Sequence, residues 1–200
     1  MRLATRMRVE GAPPSGACVL AANHTSFLDP VLLGASCQRR VVFLMTEVIW
    51  RSPTFGWFYR WNRAIPLSTR GGNREALRAA RSVLQQGRAV AIFPEGGISR
   101  DGLPMLGSPG AVSLVLNEGV PIVPVGIVGA GRVLPPGAAW PRFARVTVRF
   151  GEPITPAVLD ELGGDRRSRL RDATTLIMRR IAALTGHTAR EDVLAAPARR

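Results

Sequence analysis

The apolar positions of this chain fall in short blocks of changing period, and the alternation predicts an α/β architecture. Ala17 to Ala22, after the Pro13-Pro14 turn, is a continuous apolar run of buried-strand length, and Val41 to Leu44 is another. Leu77, Ala80 and Leu84 recur at helical spacing behind Asn73, a capping residue type, and ahead of Gly87. Ala89 to Phe93 returns to strand. Ala111 to Asn117 reads as helix, and Val120 to Val128 as one or two strand pieces broken at Pro121 and Pro124. Val146, Val148 and Phe150 alternate with Arg145, Thr147 and Arg149, the pattern of a half-buried strand. Leu170, Ile177, Ile181 and Leu184 line one face of a last helix whose other face carries Arg. No repeat or linker divides the chain. One α/β domain is therefore expected over residues 1–186, with a flexible basic tail over 187–200.

Composition and charge add two constraints. Net charge is +13, and all 27 basic residues are Arg, which excludes any Lys nucleophile or Schiff base. So basic a surface suits an anionic partner. The Arg residues are dispersed and no nucleic-acid-binding motif is present, which favours lipid headgroups over nucleic acid. Cys18 and Cys37 lack a CxxC spacing or a neighbouring His pair, so two buried thiols are expected and no metal site. Met1 to Glu10 has no apolar core of a signal peptide. Gly119 to Gly131, the longest uncharged apolar stretch, is too short and too rich in Pro and Gly to span a bilayer. A peripheral position on a cytoplasmic membrane face is the expectation.

Candidate chemistry sits at two strand ends. Asn23-His24-Thr25-Ser26-Phe27-Leu28-Asp29-Pro30 follows the first apolar run. His is suited to general-base work near neutral pH, and a carboxylate can hold its ring in one tautomer. A five-residue gap rotates by about 140° on a helix, so His24 and Asp29 do not share a helix face. They meet only if His24 lies on the strand-to-helix turn and Asp29 projects from the first helical turn. A capped helix with a structural His–Asp pair accounts for the same residues. Phe93-Pro94-Glu95-Gly96-Gly97-Ile98-Ser99-Arg100 follows a second strand. Its glycines let backbone N–H groups turn toward an oxyanion or phosphate, or simply form an ordinary loop.

Taken together, these segments resemble the glycerolipid acyltransferases typified by lysophosphatidic-acid acyltransferase. The Asn-His-x-Ser-x-x-Asp motif is matched by Asn23, His24, Ser26 and Asp29. Phe-Pro-Glu-Gly-Thr-Arg-Ser is matched at Phe93 to Gly96 and at Ser99. Val-Pro-x-Val-Pro-Val is matched by Val120 to Val125, and Phe150 to Ile154 resembles the closing strand and turn. The resemblance implies a mixed, mostly parallel sheet flanked by helices, as in glycerolphosphate acyltransferase. It implies a catalytic pair, His24 and Asp29, moving an acyl group from acyl-CoA or acyl-carrier protein to a lysolipid hydroxyl, with neither cofactor nor metal. Asn23, Ser26, Arg70, Glu95, Gly96, Gly97 and Arg100 are the implied substrate-binding residues.

Several family cations are absent. Gly97 and Ile98 stand where Thr-Arg is common, and Thr46, Ser108 and Ser113 occupy positions often basic. Arg70 follows Ile65-Pro66-Leu67 one residue later than the family pattern. The phosphate clamp implied by the family is thus thinned, leaving Arg70 and Arg100. Trp50, Phe55, Trp57, Phe58 and Trp61 crowd one segment with Arg51 and Arg60, and suit either a bilayer interface or the lining of an acyl channel.

Overall fold

The computed structural model describes residues 5–53, 56–68, 70–99, 107, 109–134, 140 and 142–186. In chain order the elements are β1 (Thr5–Glu10), β2 (Cys18–Ala22), α1 (Asp29–Ser36), β3 (Val41–Thr46), α2 (Glu47–Trp50), α3 (Gly56–Trp61) and β4 (Ile65–Leu67). They continue as α4 (Arg74–Gln85), β5 (Ala89–Ile92), α5 (Gly110–Glu118), β6 (Ile122–Val128), α6 (Ala130–Val133), β7 (Ala144–Phe150), α7 (Pro156–Asp160) and α8 (Arg166–Thr185). The seven strands form one sheet in the order β1-β7-β6-β2-β5-β3-β4. Strands β6, β2, β5, β3 and β4 are parallel, while β7 runs antiparallel to β6 and β1 follows β7. The mixed, mostly parallel sheet with flanking helices is the expected fold.

Strand β2 lies near the centre of this sheet and sorts the core by its period of two. Val19 and Ala21 pack with α4, α5, α7 and α8 on one face. Cys18, Leu20 and Ala22 pack with α1, α3 and α6 on the other. Each face of a parallel sheet is thereby covered, which explains the unbroken apolar runs in β2 and β5. Helix α8 approaches β6 closely, because Gly126 has no side chain: a Cβ there would lie 2.6 Å from that of Leu184. Asp165 caps α8 by accepting from the Ser168 N–H, and Gly186 ends it at φ 76°. None of the helices among the described residues is long and apolar enough to cross a membrane.

Three local expectations are corrected. Pro124 does not break β6, since its carbonyl accepts from the Gly151 N–H just past the last β6–β7 pair, Val125 with Phe150. Backbone N–H and C=O of one strand residue point the same way, so the missing proline donor falls where that ladder ends. Asn73 precedes α4 but makes no capping hydrogen bond; its Oδ1 accepts from the Ser68 N–H instead. Thr5–Glu10, not expected as a strand, pairs with β7. The residues 187–200, expected as a tail, lie outside the described residues.

Cys18 is buried and Cys37 half-buried, and both are free thiols. Burial is the main cause that raises both pKa values, that of Cys37 to about 11. With both thiols shifted upward the thiolate is scarce at neutral pH, so neither residue should be alkylated quickly at pH 7. Mass spectrometry is expected to find both modified only after denaturation.

Candidate active site

The turns at the C-terminal ends of the parallel strands β2 and β5 meet at His24. Asn23 is buried and continues β2 with its side chain: its Oδ1 accepts from the Ile127 N–H at 2.7 Å and its Nδ2 donates to the Ile127 carbonyl at 2.9 Å. The amide thus pairs with β6 as a further strand residue would, and the chain is free to turn at His24. Ser26, also buried, donates from Oγ to the Leu134 carbonyl and accepts from the Leu28 N–H. Both residues were expected to bind substrate; the structure places these polar atoms in hydrogen bonds of the turn that carries His24.

Asp29 is the first residue of α1 and is fully buried. Its Oδ2 accepts from His24 Nδ1 at 2.9 Å, the Thr25 N–H at 2.6 Å and the Ser26 N–H at 2.7 Å. A carboxylate at a helix N-terminus sits in a favourable dipole field, and three donors on one oxygen fix its position. A carboxylate only accepts, so the hydrogen bond assigns the proton to Nδ1 and leaves Nε2 with its lone pair. The His24 ring stacks on Phe93 with centroids 4.3 Å apart and planes 24° apart. This is the arrangement the sequence required for the pair to meet.

The loop after β5 is laced to the His24 turn. Glu95 Oε1 accepts from the His24 N–H at 3.1 Å, and the Ser99 N–H donates to the His24 carbonyl at 2.8 Å. Gly96 adopts φ 69°, a region that favours glycine, and its N–H donates to the Phe93 carbonyl. That closed turn removes the Gly96 N–H from the expected oxyanion donors. Gly97 stays on the wall of the cavity beside His24.

The cavity measures about 480 Å³, within the range of small-molecule sites. His24, Gly97 and Ile98 stand with Phe43, Met45, Ile49, Tyr59 and Leu67 along its walls, which are mostly apolar. Burial, and secondarily the charge of Asp29, push the Tyr59 phenol above its usual pKa, so it remains a neutral wall group. Thr46 and Ile98, two departures from the family's cations, both line this cavity. Ser113 does not; it borders a separate cleft with Arg74, Arg78 and Arg81. Arg70 is exposed on the turn after β4 and is absent from the cavity wall. Arg100 and Ser108 lie outside the described residues.

Sequence reading assigned no role to Tyr59 or to the Phe93 ring. Phe93 stands one step past Ile92, which pairs with Ala21, and this register sets its ring beside His24. A cross-strand register of that kind has no local signal in the chain.

A family model described as Acyltransferase matches residues 6–128. Over 173 residues the chain is 28% identical to the chloroplastic 1-acyl-sn-glycerol-3-phosphate acyltransferase BAT2 of Brassica napus, covering 84% of this chain and 50% of that protein. It is 30% identical over 174 residues to the chloroplastic 1-acyl-sn-glycerol-3-phosphate acyltransferase LPAT1 of Arabidopsis thaliana, covering 84% and 48%. The chain thus spans about half the length of these curated relatives. The crystal structure of the 1-acyl-sn-glycerophosphate (LPA) acyltransferase PlsC from Thermotoga maritima has the same fold. Its TM-score is 0.69 at 23% identity, covering 93% of this chain and 75% of that one.

Proposed function

Because the chain belongs to the acyltransferase family, we propose that it transfers a fatty acyl group from a thioester to a lysolipid hydroxyl, in the first instance that of 1-acylglycerol-3-phosphate, in phospholipid biosynthesis. The observation that carries this reading is the Asp29-oriented His24 on the wall of an apolar cavity. His24 Nε2 takes the proton of the acceptor hydroxyl as its oxygen attacks the thioester carbonyl carbon. The tetrahedral oxyanion is stabilised by the N–H of Gly97. The C–S bond then breaks, and the imidazolium of His24 returns the proton to the departing thiolate. Asp29 offsets the positive charge of the imidazolium while it lasts. Phe43, Met45, Ile49 and Leu67 supply the apolar wall for the acyl chain. The donor is acyl-CoA or acyl-carrier protein. The test is mass spectrometry of products from the purified chain given each donor with lysophosphatidic acid. Diacylated phosphatidic acid supports transfer, whereas free fatty acid alone would indicate a hydrolase.

A second reading concerns the acceptor. Ile98 and Thr46 give the cavity wall near His24 neutral side chains, so a lysolipid with a masked or missing phosphate fits it better than in relatives with Arg or Lys there. An Arg–phosphate contact is charge-assisted and often bidentate. Ile98→Arg is expected to raise the ratio of kcat/KM for lysophosphatidic acid over a matched monoacylglycerol by roughly 10- to 150-fold, from a contact of ~1.5–3 kcal/mol. Strong wild-type selectivity for lysophosphatidic acid, abolished by Arg70→Ala, would remove this second reading.

A further inference from the structure

A second cleft, separate from the one at His24, lies between α4 and α5 and measures about 250 Å³. Where the catalytic cavity is mostly apolar, this one is walled by charge. Arg74, Arg78 and Arg81 line it, together with Leu77, Leu114 and Glu118. The three arginines stand at i, i+4 and i+7 of α4, a spacing that sets them in one row along the helix. At ~1.5 Å rise per residue the row is about 10 Å long. All three are exposed.

The acid in the cleft is already engaged. Glu118, its side chain only 6% exposed, accepts from Arg81 Nε at 2.7 Å and from Gln85 Nε2 at 3.2 Å. These contacts tie α4 to α5 and fix one end of the row. Arg74 and Arg78 have no acidic partner among the described residues. Leu77, half-buried, and Leu114, buried, add apolar surface between the helices. Two open cations beside apolar surface favour an anionic partner that also has apolar side chains to bury.

The cleft starts at the catalytic end of the sheet. α4 begins after β4, whose last residue Leu67 lines the catalytic cavity, and α5 begins after the loop of Gly97 and Ile98. Both helices pack on the same sheet face and run back toward the N-terminal ends of the strands. Arg74 therefore stands at the catalytic end, with Arg78 and Arg81 farther down.

The shape of the row separates the two classes of thioester donor. A nucleotide phosphate is gathered by donors that converge on one point, commonly backbone N–H groups at glycine turns or helix N-termini. Here the cations are strung out along one helix. Their spacing is matched by carboxylates at the same intervals on a second helix laid in the groove, which coenzyme A does not offer. We propose that the α4–α5 cleft docks an acidic helix of acyl-carrier protein, whose thioester arm enters the catalytic cavity from this side. The inference rests on the acyltransferase reading for the partner's identity and names the donor that reading left open.

The test compares palmitoyl-carrier protein with palmitoyl-CoA as donor to lysophosphatidic acid, for purified wild type and for Arg74→Glu/Arg78→Glu. The variant should raise KM for the carrier-protein donor by about tenfold, with kcat and the KM for palmitoyl-CoA nearly unchanged, because exposed interface charges act on encounter and affinity. Arg74→Gln/Arg78→Gln should show the same split at roughly threefold, and it decides the matter if the Glu variant melts below wild type. Arg179→Glu/Arg180→Glu reverses as much charge at exposed positions of α8 and should leave both donors unaffected. Calorimetry with holo-carrier protein, which bears the arm without an acyl group, should show binding that weakens in the α4 variants and with added salt. Equal loss with both donors, loss with palmitoyl-CoA alone, equal loss in the α8 variant, or no binding of holo-carrier protein to wild type would overturn the proposal. Wild type that binds holo-carrier protein through Arg74 and Arg78 yet transfers from neither donor would keep the docking site and sink the acyltransferase reading.

Discussion

Replacing His24 with Ala is expected to lower kcat by about 10²–10⁴-fold, the usual contribution of a positioned general base. The fold should survive, because the losses are local. Asp29 Oδ2 keeps its bonds to the Thr25 and Ser26 N–H groups, and the His24 backbone keeps Glu95 and the Ser99 N–H as partners. What disappears is the Nδ1 bond to Asp29 and the stack on Phe93, the stack worth about 0.5–1.5 kcal/mol for an aromatic pair. The only other His is His187, outside the described residues and beyond the end of α8. Asp29→Asn separates orientation from charge. Its side-chain oxygen can still accept from the three donors, but the neutral amide no longer offsets a positive imidazole. It should reduce kcat by a similar order while KM moves little, the signature of an interaction made in the transition state. Steady-state kinetics and thermal melts on the same preparations check both. His24→Ala retaining more than about a tenth of the activity would assign the base elsewhere.

What the chain discloses about itself depends on whether a signal is local. The buried strands β2, β3 and β5 were legible because parallel strands covered on both faces are short apolar blocks. The His24–Asp29 geometry was legible because a turn followed by a helix is the single way to join residues five apart. β1 was not, since half of Thr5–Glu10 is charged and its support comes from β7, with Glu10 accepting from Arg149 Nε 139 residues away. β4 is three residues long with an exposed Pro66, and gives no periodic signal. The same limit applies to the site. A glycine-rich loop is visible as a string of letters, but the Gly96 N–H bonding to Phe93 is a property of the folded turn. Membership of a motif likewise says that Asn23 matters and leaves open whether it faces the ligand or the sheet.

For Asn23 the fold supplies that answer, and Asn23→Ala is expected to show it as instability rather than weaker substrate binding. The side chain satisfies both the N–H and the carbonyl of Ile127, itself buried in the middle of the sheet. Removing it leaves two buried backbone groups unpaired, at about 1–3 kcal/mol each. A loss of roughly 5–20 °C in Tm follows for a domain of this size, at ~2–4 °C per kcal/mol. Asn23→Asp is the sharper variant. One carboxylate oxygen can still accept the Ile127 N–H, but the other replaces a donor and is set against the Ile127 carbonyl, so a buried charge meets a like dipole. It should be at least as unstable as Asn23→Ala despite its matching shape. Activity at low temperature should fall through kcat, as the His24 turn loses its anchor to β6, with KM for the acceptor nearly unchanged. A variant that melts like wild type while KM rises severalfold would place the Asn23 amide against substrate and detach it from Ile127.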